Sequence, residues 1–268
     1  MFRDLTLGQY YPVDSAIHRL DPRTKLAATL LFIVSLFVAK GAPAYVLAAV
    51  FLAGCIRLSR VPFRYMLKGL RAIFLLLSIS IVFNLFLTEG EPLVSFWIFK
   101  ITREGLVQAG RLALRLVLLV MGSSMMTYTT TPTALTDGIE RGLGFLRAVK
   151  VPVHEVAMMM SIALRFIPIL TEESDKIMKA QMARGADFES GNLMQRAKAL
   201  VPVLVPLFVS AFRRATELAM AMEARCYHGG EGRTKMYPLQ YGRGDRLAYA
   251  LCFVYLGAIV ALRFVPVG

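Results

Sequence analysis

Polar and apolar positions along this chain separate into long blocks. Charge-free runs cover Leu26 to Ala39, Gly41 to Ile56, Ala72 to Thr88 and Leu247 to Leu262. A further run, Leu106 to Tyr128, is interrupted only by Arg111 and Arg115. A bilayer core is about 30 Å thick and takes roughly 17–25 mostly apolar helical residues. The first two runs are together too long for one span, and Gly41-Ala42-Pro43 breaks the helix between them, which predicts a tight helical hairpin. Each arm is short, so Lys25, Lys40 and Arg57 snorkel to the interfaces. The pattern therefore predicts five spans. Ala199 to Phe212 is also free of charge, but it is short and carries Pro202 and Pro206. It reads as a buried or interfacial helix.

Composition agrees with this reading. Of 268 residues, 56% are hydrophobic and 18% charged, with a mean hydropathy of +0.57. A soluble domain carries about 25% charged residues, so the apolar excess is more than one water-soluble core can bury. A wholly soluble enzyme is excluded, and so is disorder. The net charge is +13; on a membrane chain this places Lys and Arg at the cytoplasmic face and needs no nucleic acid. Arg3, Arg19, Arg23 and Lys25 precede the first span, and Arg57, Arg60, Arg64, Lys68 and Arg71 lie between the second and third. The first hairpin tip has only Lys40, and in the next connection Lys100 and Arg103 face Glu89, Glu91 and Glu104. The N-terminus is thus expected in the cytoplasm and the C-terminus outside. The start, MFRDLTLGQYYPVDS, lacks the basic and apolar regions of a signal peptide. Cys55, Cys226 and Cys252 have no paired spacing, so neither a disulfide framework nor a zinc site is indicated.

The expected organisation is an all-α polytopic membrane protein. A short cytoplasmic segment (1–25) precedes a four-span membrane domain (26–128), a helical cytoplasmic domain (129–245) and a last span (246–268). Thr131-Pro132 has the form of a helix start. Two long helical patterns follow, from about His154 to Arg184 and from about Leu193 to Arg225. Both are apolar early and mixed late, as suits helices that lie along the membrane face and then project into water. Their ends repeat: Ala180-Gln181-Met182-Ala183-Arg184-Gly185 lies over Ala221-Met222-Glu223-Ala224-Arg225-Cys226. Each places one Arg between small residues. An Arg so flanked can enter a groove and pair bidentately with a carboxylate. Two such ends imply two similar partner surfaces.

Other features carry less. Arg111 and Arg115 lie one turn apart on the fourth span, where snorkelling and a partner contact both remain open. The basic run Arg57 to Arg71 fits a positive-inside anchor. His154-Glu155 lacks the second His of a zinc helix, since Met158 takes its place. Asp137-Gly138 with Glu140-Arg141 has no downstream Asp cluster to hold magnesium. The Gly-rich stretch His228 to Lys235 is not a phosphate-binding loop and reads as a connection. The spans hold no acidic residue at mid-membrane, though Asn84 is polar, which argues against a secondary transporter.

HRLDPRTKL (His18 to Leu26), TPTALTDGIE (Thr131 to Glu140), MMMSIALRFIP (Met158 to Pro168) and the motifs AQMARGADF and AMEARCY together resemble the transmembrane T component of energy-coupling factor transporters, over essentially the whole chain. The resemblance implies a non-catalytic scaffold without cofactors or metal in a bacterial cell membrane. It would join two ABC-type ATPases to a small membrane subunit that binds a vitamin or metal ion. It implies that Ala183-Arg184-Gly185 and Ala224-Arg225-Cys226 each dock in one ATPase groove; Cys226 stands where Gly or Ser is more usual. Met158, Met159, Met160, Met178 and Met182 are candidates for contact with the substrate-binding subunit, because Met adapts to varied surfaces; core filling is the alternative. The rivals are the permease of a conventional ABC importer, which works as a pair, and a polytopic membrane enzyme, for which no convergent carboxylates or His are found.

Overall fold

The computed structural model describes residues 10–87, 92–96, 99–188, 192–230, 236 and 238–264. Eight α-helices account for most of them: α1 (Pro22–Val38), α2 (Ala42–Ser59), α3 (Phe63–Leu87), α4 (Arg103–Thr129), α5 (Pro132–Gly142), α6 (Val153–Ala183), α7 (Leu193–Ala224) and α8 (Arg243–Phe264). Between α3 and α4 lies a short antiparallel hairpin, β1 (Pro92–Phe96) with β2 (Phe99–Thr102). Nothing in the hydrophobic pattern announced it. A 3-10 turn at Gly144–Val149 precedes α6. Arg3, Glu89, Glu91 and the Glu231 to Lys235 part of the Gly-rich stretch lie outside the described residues.

Among the described residues five helices are long and apolar enough to cross a membrane: α2, α4, α6, α7 and α8. The number equals the expected one, but the membership differs. α1, with 17 residues, lies at the short end of the spanning range and is not among them. α3 bends by 61° between Phe63–Arg71 and Ile73–Leu85, and its two legs reach spanning length and hydropathy only together. The bend falls where basic sequence gives way to the apolar run predicted from Ala72. Conversely, α6 and α7 contain apolar windows long enough to span. Pro202 and Pro206 do not end a helix, because α7 continues through both to 32 residues.

The described residues fall into two compact units: those of Gly8–Gly138 with Leu239–Gly268, and those of Ile139–Pro238. In the first, the chain breaks at Gly41, with φ 80°, as the Gly-Ala-Pro signal predicts. The two arms do not form a tight hairpin. Each of α1 and α2 packs on α4 and α8 instead, with the stacked rings of Phe32, Phe51 and Tyr255 between them. Around this stack Leu36, Tyr45, Met66, Leu118 and Ile259 complete the core. Arg115 directs its guanidinium to the hydroxyl of buried Tyr45, at 2.7 and 3.1 Å, while Arg111 is exposed.

The DPRTKL segment does structural work in this unit. Asp21 caps α1 by accepting from the Arg23 amide, with Pro22 in the first turn, as cap preferences dictate. Its own amide donates to Asp245 of α8 at 2.8 Å. The Arg23 guanidinium forks onto the Asp21 carboxylate and lies 4.0 Å over the Tyr241 ring. Lys25 donates to the carbonyls of His18 and Thr129, at 2.9 and 2.7 Å. Thr129 is the last residue of α4, where unpaired carbonyls and the helix dipole both favour a cation.

Gly122 and Gly110 of α4 make an internal comparison. A Cβ on Gly122 would sit 2.6 Å from the Phe32 ring, which the stack holds in place, whereas a Cβ on Gly110 meets nothing within 4 Å. Gly122→Ala is expected to lower the thermal midpoint of the detergent-solubilised protein, with an overpacking cost of about 1–3 kcal/mol. Gly110→Ala should leave it unchanged or raise it through helix propensity, by up to about 1 kcal/mol.

Candidate functional site

The second unit is organised by α6 and α7. One polar link between them is Glu173 of α6, which accepts from Ser210 at 2.5 Å and from Arg214 at 2.9 Å. Further along α6, Gln181 reaches the carbonyl of Pro202 on α7, at 3.4 Å. That carbonyl has no donor in its own helix, because the residue four positions on is Pro206, which lacks an N–H. In the other direction Ile162, Phe166 and Leu170 share an apolar cavity with Leu218, Ala219 and Met222. Low numbers on α6 therefore meet high numbers on α7, so the two chains run in opposite directions.

The helix ends are closed by the same set of main-chain bonds. On α6, the amides of Arg184 and Ala186 both donate to the Gln181 carbonyl, each at 3.0 Å, and the Gly185 amide donates to Met182 at 2.9 Å. On α7, Arg225 and Tyr227 donate to Met222, at 3.1 and 3.0 Å, and Cys226 donates to Glu223 at 2.8 Å. These are two Schellman caps. They superpose in the register of the sequence repeat. The position after the Arg takes a left-handed conformation in both, Gly185 with φ 90° and Cys226 with φ 54°. Cys226 thus fills a position that glycine occupies without steric cost.

Ala183, Arg184 and Gly185 are exposed, and so are Ala224, Arg225 and Cys226. Among the described residues neither Arg184 nor Arg225 forms an ion pair. Because α6 and α7 oppose each other, the two guanidinium-bearing ends stand at opposite ends of the pair, about 35–40 Å apart at 1.5 Å of rise per residue.

The methionines are not brought together. Met159, Met160 and Met182 are exposed and Met158 and Met178 half-buried, but the two groups sit at opposite ends of α6, about 30 Å apart. The broader apolar face belongs to α7, where Leu204, Val205, Phe208, Val209 and Phe212 are all exposed, the last by 71%. Its signal was present as the charge-free run Ala199 to Phe212. His154 is half-buried and its Nδ1 meets Glu140 Oε1 at 2.9 Å. Among the described residues no three His, Cys, Asp or Glu side chains converge as a metal site would require.

Residues 14–236 match the family model CbiQ, described as cobalt transport protein. The chain is 54% identical to the energy-coupling factor transporter transmembrane protein EcfT of Clostridium kluyveri over 264 residues, 98% of this chain and 97% of that protein. It is 50% identical to EcfT of Acidaminococcus fermentans over 268 residues (100% and 99%) and 47% identical to EcfT of Bacillus subtilis over 264 residues (98% and 100%). The chain belongs to the EcfT family. It is accordingly a multi-pass membrane component of an energy-coupling factor transport system. The matched caps are a property of this EcfT-family chain that identity scores alone do not describe.

The caps make a measurable prediction. In Gly185→Val a side chain must adopt the left-handed conformation, at a cost of roughly 1–2 kcal/mol, so amide exchange at Ala186 should accelerate about 5- to 30-fold. Cys226→Gly should slow exchange at Tyr227 or leave it unchanged. Hydrogen exchange resolved to these two peptides reads both.

Proposed function

We propose that this chain is the T component of a bacterial energy-coupling factor importer, a non-catalytic scaffold joining two ABC-type ATPase subunits to a separate small membrane subunit that binds a vitamin or a metal ion. The observation that carries this reading is the pair of identically closed helix ends, each offering one exposed Arg between small residues. Ala183 and Gly185, or Ala224 and Cys226, let a groove close around the guanidinium. A carboxylate inside the groove can then pair with it through two parallel hydrogen bonds. ATP hydrolysis belongs to the partner chains, and α6 and α7 serve as levers. The N-terminus and both Arg ends face the cytoplasm, in keeping with the basic residues before α1 and after α2.

The mechanism follows from the geometry of the pair. ATP binding draws two ATPase subunits together, which moves the two Arg ends relative to each other. Because the helices are tied near their middles through Glu173, Ser210 and Arg214, that motion becomes a change in the angle between α6 and α7. The exposed apolar face of α7, together with Met159 and Met160, transmits it to the substrate-binding subunit.

Arg184→Ala and Arg225→Ala should each weaken ATPase binding by about 2–5 kcal/mol, roughly 30-fold to several thousand-fold in affinity. Uptake should be abolished while the thermal midpoint of the solubilised chain stays put. Copurification of both ATPases with full transport in the double variant would overturn the reading. The intact assembly should contain one copy of this chain per two ATPases, by native mass spectrometry; two copies would support a conventional permease pair instead.

Glu173→Ala separates docking from transmission. It is expected to leave ATPase copurification intact and to lower uptake per ATP hydrolysed, because the ends remain but their connection is loosened. Unchanged coupling would remove Glu173 from the mechanism.

A further inference from the structure

The unit containing α1, α2, α4 and α8 encloses a cleft of about 250 Å³ that the transport reading does not use. It exists because α1 and α2 do not close on each other. The cleft is graded along its length. Its inner end is walled by Phe32, Phe51 and Cys252, and its outer end by Lys25, Leu58 and Leu247. From Gly244 to Cys252 the wall formed by α8 rises about 12 Å. Leu58 and Leu247 are 59% and 65% exposed, which marks the mouth.

The occupant can be argued from chemistry. Water needs two to four polar partners, and this lining is almost wholly apolar. The one cation in the lining, Lys25, stands at the outer end and already gives two of its protons to the carbonyls of His18 and Thr129, and no charged side chain lines the cleft farther in. A charged head therefore has no place at depth. At the mouth the situation reverses. Arg57 adjoins Leu58, and Arg243 and Arg246 adjoin Gly244 and Leu247; all three arginines are exposed. Among the described residues none of the three is in an ion pair. A greasy slot about 12 Å deep, most of one leaflet's hydrocarbon, with exposed arginines next in chain to its mouth residues, matches a molecule with an anionic head and one long apolar tail. In a multi-pass membrane protein the medium against such a mouth supplies that molecule at high concentration.

We propose that this cleft binds one acyl chain of an anionic membrane phospholipid, with the lipid phosphate held among Arg57, Arg243 and Arg246. The lipid fills the gap between α1 and α2 and bridges α2 to α8 at the membrane surface. The site belongs to the first unit alone and stands whether or not Arg184 and Arg225 bind ATPases.

The full-length chain, placed in nanodiscs of equimolar phosphatidylglycerol and phosphatidylcholine and released for native mass spectrometry, tests it. One phosphatidylglycerol should remain bound under activation that strips all other lipid. Arg57→Ala with Arg246→Ala alters only exposed side chains and should reduce the preference for phosphatidylglycerol about 30-fold. Ala248→Phe, which projects into the cleft, should abolish retention of either lipid. As a second readout in a Cys226→Ser background, N-ethylmaleimide labelling of Cys55 should be slower in phosphatidylglycerol than in phosphatidylcholine, and the double Arg variant should erase the difference. Equal retention of both lipids by the unaltered chain would overturn the proposal, as would unchanged retention in both the Ala248→Phe and the double Arg variants.

Discussion

An α-helix that stops leaves its last four carbonyls without donors. In a membrane protein whose longest helices carry wide exposed apolar faces, where and how they stop determines what they can present. α6 and α7 solve this with the chain's own amides: three main-chain bonds turn the backbone back and leave the Arg side chain with nothing to do inside the fold. A side-chain cap would have consumed a polar group at the tip. The Schellman closure instead puts small residues on either side of the guanidinium and leaves it exposed.

That closure also explains why so short a repeat carried information. The tripeptides Ala183-Arg184-Gly185 and Ala224-Arg225-Cys226 are unremarkable as helical composition. What they share is a backbone requirement, a left-handed residue one place after the Arg. Glycine meets it directly. Cys226 meets it with a small side chain, and the flanking cap bonds, at 3.1 and 3.0 Å, nearly match the 3.0 Å of both at Gly185. The helix boundaries of α6 and α7 were legible for the same reason, since the signals are local. The prolines did not change the expected extent of the second helix, Leu193 to Arg225, and the way α7 carries them is not local. Pro206 removes the donor for the Pro202 carbonyl, and the replacement comes from Gln181 on another helix, which no pattern within α7 reveals. A ring that ends a solitary helix is tolerated in one that has a neighbour.

The membrane half divides along similar lines. Break points were readable from Gly41 and from the Thr131-Pro132 start, where the Thr131 hydroxyl accepts from the Ala134 amide. Packing partners were not. A break followed by a proline predicts a hairpin, but whether the arms pair depends on the side chains between them. Here the rings of Phe32 and Phe51 stack on each other and on Tyr255 of α8, so the arms meet at this stack while their lengths pack on α4 and α8. The HRLDPRTKL stretch served well for resemblance, yet its residues are spent internally: Asp21 on the α1 cap, Arg23 on Asp21 and Tyr241, Lys25 on the end of α4. A motif can identify a family through what holds the fold together rather than through what meets the partner.

On the proposed reading, the opposed directions of α6 and α7 bear on how one chain could serve two ATPases. Two helices of 31 and 32 residues, closed by the same cap and joined through Glu173, run in opposite directions, as two copies of one helix do about a two-fold axis. A pair of like subunits related by a two-fold presents one surface twice, facing opposite ways. A parallel helix pair would place both Arg ends on the same side, where only one such surface can be reached. The antiparallel pair places them about 35–40 Å apart, each oriented as the other would be after half a turn. On the proposed reading, the internal repeat of this chain is therefore a symmetry match: the scaffold copies its own helix end once because its partners come in twos. The copies need be alike only at the tip. Elsewhere the two helices are free to diverge, and α7 uses that freedom for the apolar face that ends at Phe212.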